Sequence, residues 1–121
     1  MADDSRGDLG ARTRFMRITP ATGENLRAVW KLVEPALPAI LDEFYKHVSA
    51  EPSLRSLFGD TIPRLKQAQT RHWQKMFAGS FDADYYEGVR AIGLVHHRIG
   101  LAPRWYIGGY NFVLEHLTEL A

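Results

Sequence analysis

Cysteine is absent from this chain of 121 residues, and its absence removes disulfides, thiolate metal sites, a nucleophilic thiol and the CxxCH attachment of a c-type haem. Any metal must therefore be held by His, carboxylate or Tyr. An excess of charge of one sign is missing too. A net charge of +1, spread without a run long enough to form a tail, provides no basic field and excludes nucleic acid as the expected partner. No segment approaches 18 uncharged apolar residues, and the N-terminal MADDSRGDLG carries acids and glycines where a signal peptide needs an apolar core. A soluble, cytoplasmic protein without membrane insertion is expected. No alternating strand pattern, repeat or low-complexity tract is visible, and the length fits one domain with a real core.

What remains is helical spacing, and it predicts an all-α fold of five main helices and one short one. Residues 1–10 are expected to be disordered, with a short basic pre-helix over 12–18, so that 1–18 forms a tail and 19–121 the domain. Thr19-Pro20 and Thr22 offer helix starts, followed by Leu26, Val29, Trp30, Val33 and Leu37 on one face. Because proline breaks a helix interior, Pro35 and Pro38 predict an end near Glu34 and a new start near Pro38. That second helix carries Leu37, Ile40, Leu41, Phe44 and Val48 on its stripe, with Tyr45 on the border of the apolar face. A short helix over 51–58 ends at Gly59. The next places Leu65, Ala68, His72 and Met76 on one stripe.

Unusual residues concentrate in the segment 85–110, YYEGVRAIGLVHHRIGLAPRWYIGGY. It reads as two helices joined at a tight corner: Asp82 as N-cap, Gly100 in the left-handed C-terminal position, Pro103 opening the last helix. At roughly 100° per residue, Tyr85, Val89, Ile92 and Ile99 fall within about 60° of His96, which puts this imidazole in the middle of an apolar stripe. Gly93 lies one turn before it. A glycine there weakens the helix by roughly 1 kcal/mol against alanine, which suits a close approach to the backbone.

His47, His72, His96, His97 and His116 are the available imidazoles. His97 is rotated about 100° from His96, and no partner stands at the spacing of HExxH, so a zinc hydrolase is disfavoured. On pattern alone, both His96 and His72 read equally as core histidines bonded to backbone carbonyls.

Taken together, Phe44-Tyr45, the run LKQAQTRHW over 65–73 and above all IGLVHHRIGLAPRWYIGGY over 92–110 resemble the globin-coupled sensors, the sensor-globin family related to protoglobins. The resemblance extends over about 19–120. It implies a globin fold holding haem b, with His96 matching the proximal iron ligand, Tyr106 its hydrogen-bonding tyrosine and Tyr45 the tyrosine that donates to bound dioxygen. Leu65 and Ala68 match distal positions, and Val89, Ile92 and Gly93 lie on the haem side of the His96 helix. Some members carry threonine where this chain has Ala68, which leaves Tyr45 as the expected polar contact.

The implied function is a haem-based dioxygen sensor, also able to bind carbon monoxide and nitric oxide, that catalyses no reaction itself and passes its signal to an output domain. A methyl-accepting domain for aerotaxis is the first choice of output, with a diguanylate cyclase or histidine kinase as alternatives. A protoglobin-like carrier or scavenger and a cofactor-free helical interaction module are the rival readings. In the resembled family a further helix follows the last one here and the pair forms a dimer interface. The chain is accordingly expected to be a homodimer through its C-terminal helices, truncated before the final helix of the fold.

Overall fold

The computed structural model describes residues 5–120, and their regular structure is wholly helical: α1 (Ser5–Phe15), α2 (Pro20–Ser49), α3 (Pro52–Phe58), α4 (Ile62–Phe77), α5 (Ala83–Arg98) and α6 (Pro103–Leu120). The all-α expectation is met, with two boundary corrections. The expected disorder over 1–4 lies outside the described residues. From Ser5 to Gly10, however, the chain is helix, and α1 begins well before the pre-helix predicted at Arg12. This stretch carries no apolar periodicity. α1 as a whole meets α5, a contact that local sequence cannot reveal.

The larger correction concerns Pro35 and Pro38, which interrupt nothing: α2 runs through both for 30 residues. Each proline deprives the carbonyl four residues back, on Lys31 or Glu34, of its donor, at about 3 kcal/mol for an interior position. Pro35, Pro38, Lys31 and Glu34 are all exposed, so this side of the helix is open to water that can take over the bonding. Opposite them, Val33, Leu37, Ile40 and Leu41 are buried to 6% exposure or less. At about 1.5–3 kcal/mol for each buried aliphatic side chain, that stripe outweighs the two prolines. Thr19 and Pro20 start the helix as expected, with the Thr19 N–H donating to Thr22 Oγ1 at 3.1 Å.

The core sits where α2 meets α4 and α6. Val33, Leu37 and Leu41 close on Trp73 and Phe77 of α4 and on Val113 of α6, with Leu26, Trp30, Phe44, Met76 and Leu117 around them. The inward stripe of α4 is consequently Leu65, Gln69, Trp73 and Phe77, rotated from the predicted Leu65, Ala68, His72 and Met76. Trp73 and Phe77 are buried, whereas Ala68 is exposed.

Two glycines set how the N-terminal half of α2 meets the turn after α4. A Cβ on Gly23 would stand 2.7 Å from the Gly79 carbonyl oxygen, and Gly79 itself has φ +76°. Arg27 reaches across the same junction to donate to the Ala78 carbonyl at 3.0 Å. Gly23→Ala is therefore expected to lower stability by about 1–3 kcal/mol through overpacking against backbone. Gly88→Ala, which meets nothing within 4 Å inside α5, should raise it by about 0.5–1 kcal/mol. Urea unfolding midpoints distinguish the two, and shifts of the same sign would contradict this account of the junction.

Candidate functional site on the fifth helix

α5 is fastened at its two ends. Asp82 Oδ1 accepts the Tyr85 N–H at 2.9 Å, which caps the first turn as the sequence predicted. At the other end Gly100, with φ +73°, reverses the chain. The Leu101 N–H donates to the His96 carbonyl at 2.9 Å and the Gly100 N–H to the His97 carbonyl at 3.1 Å, the paired closure of a Schellman motif. The last turn of α5, and with it the His96 backbone, is thus held by the corner that starts α6.

His96 is half-buried and its ring lies nearly parallel to Tyr106 of α6, with centroids 5.7 Å apart and planes at 12°. Burial lowers its pKa from the ordinary histidine value, which favours the neutral ring at pH 7. Its ring nitrogens make no hydrogen bond to the described residues, so neither the backbone-bonded core histidine of the pattern reading nor the hydrogen bond expected with Tyr106 is present: Tyr106 stacks on the ring and does not bond to it. His97 is exposed on another side of the helix.

Around His96 the helix is open. None of its residues is fully buried, and Val89, Leu94, Val95 and Ile99 are all exposed. Ile92 is half-buried. At Gly93 no protein atom lies within 4 Å of where a Cβ would stand, so protein packing does not require the glycine.

Tyr45 proves to be core and not border: it is 5% exposed, edge-on to Phe44 at 5.0 Å and to Phe58 at 6.0 Å. Desolvation pushes its phenol up to about 12, and its hydroxyl has no hydrogen-bond partner among the described residues. Tyr45 and His96 are each next to a ring that meets or belongs to α6: Phe44 for Tyr45, Tyr106 for His96. The Phe44 ring, beside Tyr45, comes within 3.2 Å of the Cβ position of Gly109, and Gly109 lies one turn after Tyr106 on α6. Leu65 is half-buried on α4, and Ala68 stands on that helix's exposed side.

His72, on α4, faces a different part of α5. Its ring stacks on Tyr85 at 6.1 Å and 14° and meets Trp73 at 5.9 Å. Tyr85 precedes His96 by eleven residues, about 16 Å along a helix, so His72 and His96 do not converge on one ion. It too makes no hydrogen bond to the described residues, and burial lowers its pKa. The phenol of Tyr85 is raised by burial and by the nearby Tyr110 and Tyr86, and Tyr110 in turn meets Trp73 at 6.4 Å. Tyr85, His72, Trp73 and Tyr110 thus form an aromatic wall across α4, α5 and α6. Helical periodicity placed Tyr85 and Tyr110 on inward stripes but did not mark them as neighbours across helices.

An open apolar cavity of about 700 Å³ lies beside this wall, lined by Phe15, Met16, Leu26, Met76, Tyr85 and Val89 among others. Neither His96 nor Tyr45 lines it. Among the described residues no group of three His, Asp or Glu side chains is placed to hold a metal ion. What this chain offers is one free imidazole on an open apolar helix face. Those features suit an ion carried in a flat apolar cofactor, and the donor set fits haem.

The wholly helical architecture of the described residues is consistent with a globin fold. The sequence matches the Protoglobin family over residues 5–121, and the chain belongs to that family. It is also 28% identical over 107 residues to the heme-based aerotactic transducer HemAT of Halobacterium salinarum, an alignment covering 86% of this chain and 22% of the transducer. The chain therefore spans about a fifth of the length of that curated relative. The resemblance to sensor globins and protoglobins is borne out.

The two half-buried imidazoles set an acid limit on the fold. Their folded pKa values lie below the ordinary value near 6.5, so the unfolded chain binds protons that the folded chain refuses. Their contribution is fully present above that pH and is lost as pH falls below it. The melting temperature of the ligand-free chain should decline below about pH 6.5, and less steeply in His72→Phe. A His72→Phe profile parallel to wild type would show that His72 plays no part in that loss.

Proposed function

We propose that the chain is a haem-based gas-sensing domain, with haem b as cofactor, His96 as its protein ligand and dioxygen as the principal gas. The observation that carries the reading is the His96 imidazole, without a hydrogen bond to the described residues and with its pKa lowered by burial, on an open apolar helix face. Haem would supply an iron centre that binds dioxygen, carbon monoxide or nitric oxide reversibly.

The chain's residues do the rest. His96 offers a ring nitrogen already rid of its proton, and the Tyr106 ring fixes the plane of the imidazole. Val89, Ile92, Val95 and Ile99 supply apolar surface that a porphyrin would cover, at about 25 cal/mol per Å² removed from water. Gly93 leaves the backbone open beside them. Tyr45 keeps its phenol protonated, so it donates to a polar acceptor and cannot repel it as a phenolate would.

In this proposal the domain catalyses no reaction and acts in the cytoplasm, its ligation state read by a signalling output. Support comes from the relative's description as a transducer. No helix among the described residues is long and apolar enough to cross a membrane. The exposed stripe Ile107, Tyr110 and Leu114 on α6 supports pairing of two copies through that helix.

Substitutions test the ligand assignment. His96→Ala should abolish the ferrous Soret spectrum of a histidine-ligated haem while His97→Ala retains it, and the reverse pattern would overturn the assignment. Tyr45→Phe should speed oxygen dissociation roughly 10- to 150-fold, the worth of a hydrogen bond of about 1.5–3 kcal/mol, with carbon monoxide changing much less. Equal changes for both gases would make Tyr45 a packing residue.

A further inference from the structure

The cavity beside the aromatic wall is a feature that neither the fold nor the haem reading uses. Its volume of about 700 Å³ falls inside the range of about 300–1,000 Å³ typical of small-molecule sites. Phe15 and Met16 line it from the end of α1 and the turn that follows, Leu26 from α2, Met76 from α4, and Tyr85 and Val89 from α5. Of these residues only Val89 is shared with the face assigned to the porphyrin. Phe15 is 88% exposed and Met16 66%, the two most exposed large apolar side chains among the described residues. Apolar surface left in water around a concave space is what an apolar ligand would cover.

The charge around the cavity is of one sign. Among the described residues that line it, Arg12 is the one charged side chain, with no Asp or Glu beside it. The segment over 11–18, ARTRFMRI, adds the exposed Arg14 and Arg17 and carries no acid. A guanidinium has five N–H donors in a fork that matches a carboxylate, so Arg12 can hold one alongside whatever it bonds within the chain. Burial, and then Tyr110 and Tyr86, raise the pKa of the Tyr85 phenol, which stays protonated at neutral pH and offers an anion no repulsion. Met16 and Met76 are unbranched and adapt to a flexible chain.

We propose that this cavity binds a medium-chain fatty acid, its acyl chain lying between α1 and α5 and its carboxylate on Arg12. The inference stands apart from the haem reading. A chain seated there touches Phe15 of α1 and Tyr85 of α5 together, and so fastens the first turns of the helix that carries His96.

Isothermal titration calorimetry of the purified chain with decanoate, and with decanol as the uncharged chain of equal length, tests the proposal. Decanoate should saturate at one per chain and bind about tenfold more tightly than decanol, the worth of a charge-assisted hydrogen bond. Arg12→Gln should weaken decanoate by about tenfold and change decanol less than about threefold. Ala11→Trp, a large ring on an exposed lining residue, should weaken both probes by about tenfold or more while circular dichroism shows unchanged helix content. Should that variant fail to fold, Met16→Glu, on a side chain already mostly in solvent, is expected to weaken decanoate to a similar degree. Decanoate that does not saturate, equal affinities of wild type for the two probes, or wild-type affinity in whichever lining variant folds would overturn the proposal. So would a wild-type dimer that takes up no decanoate and that Ala11→Trp splits into monomers in sedimentation, which would make the cavity an interface between copies of this chain.

Discussion

Burial of a single stripe of α2 against α4 and α6 is the interaction on which the rest of this domain depends. Val33, Leu37 and Leu41, each at most 2% exposed, cluster with Trp73 and Phe77 of α4 and Val113 of α6, and among the described residues no fully buried polar or charged residue interrupts the core they form. The ion pairs add little. Lys66 with Asp42 and Lys75 with Asp84 lie at 2.7 and 3.3 Å but on exposed surface, where water screens them. The same stripe carries α2 across two prolines and continues to Tyr45, so the phenol is positioned by the residues that hold the fold together.

α5 stands in contrast. It contributes nothing to the central core and is held by its cap, its C-terminal corner, α1 and the stacking of Tyr85 on His72. A helix with few buried contacts is easily displaced as a unit. It also leaves apolar side chains in water that a bound cofactor would cover, so cofactor burial would add stability where the protein core adds least. The candidate ligand stands on a helix with no fully buried residue, and the phenol on α2, which carries most of the core.

Much of this was legible in the sequence because the relevant signals are local. Asp82, Gly100 and Pro103 act within a turn of their own position, and the boundaries of α5 and α6 fell where those residues predicted. Pro35 and Pro38 misled for the opposite reason. Their local penalty was read correctly, but the burial that outweighs it belongs to tertiary contacts on the far side of the helix. The α4 stripe was misjudged because Ala68, His72 and Met76 share a helical face as convincingly as Leu65, Trp73 and Phe77 do. Only packing against α2 decides between them. The partners of His72 and His96 were illegible, since an aromatic stack between helices leaves no spacing rule in the chain.

On the proposed function, the open face of α5 is completed by one haem. Titration of the purified chain with haem, followed by absorbance and by quenching of the fluorescence of Trp30, Trp73 and Trp105, tests this most directly. Saturation at one haem per chain, with a Soret band that sharpens on reduction and moves on adding carbon monoxide, is the predicted result. Weak, non-saturating binding with the broad spectrum of free haem would contradict it.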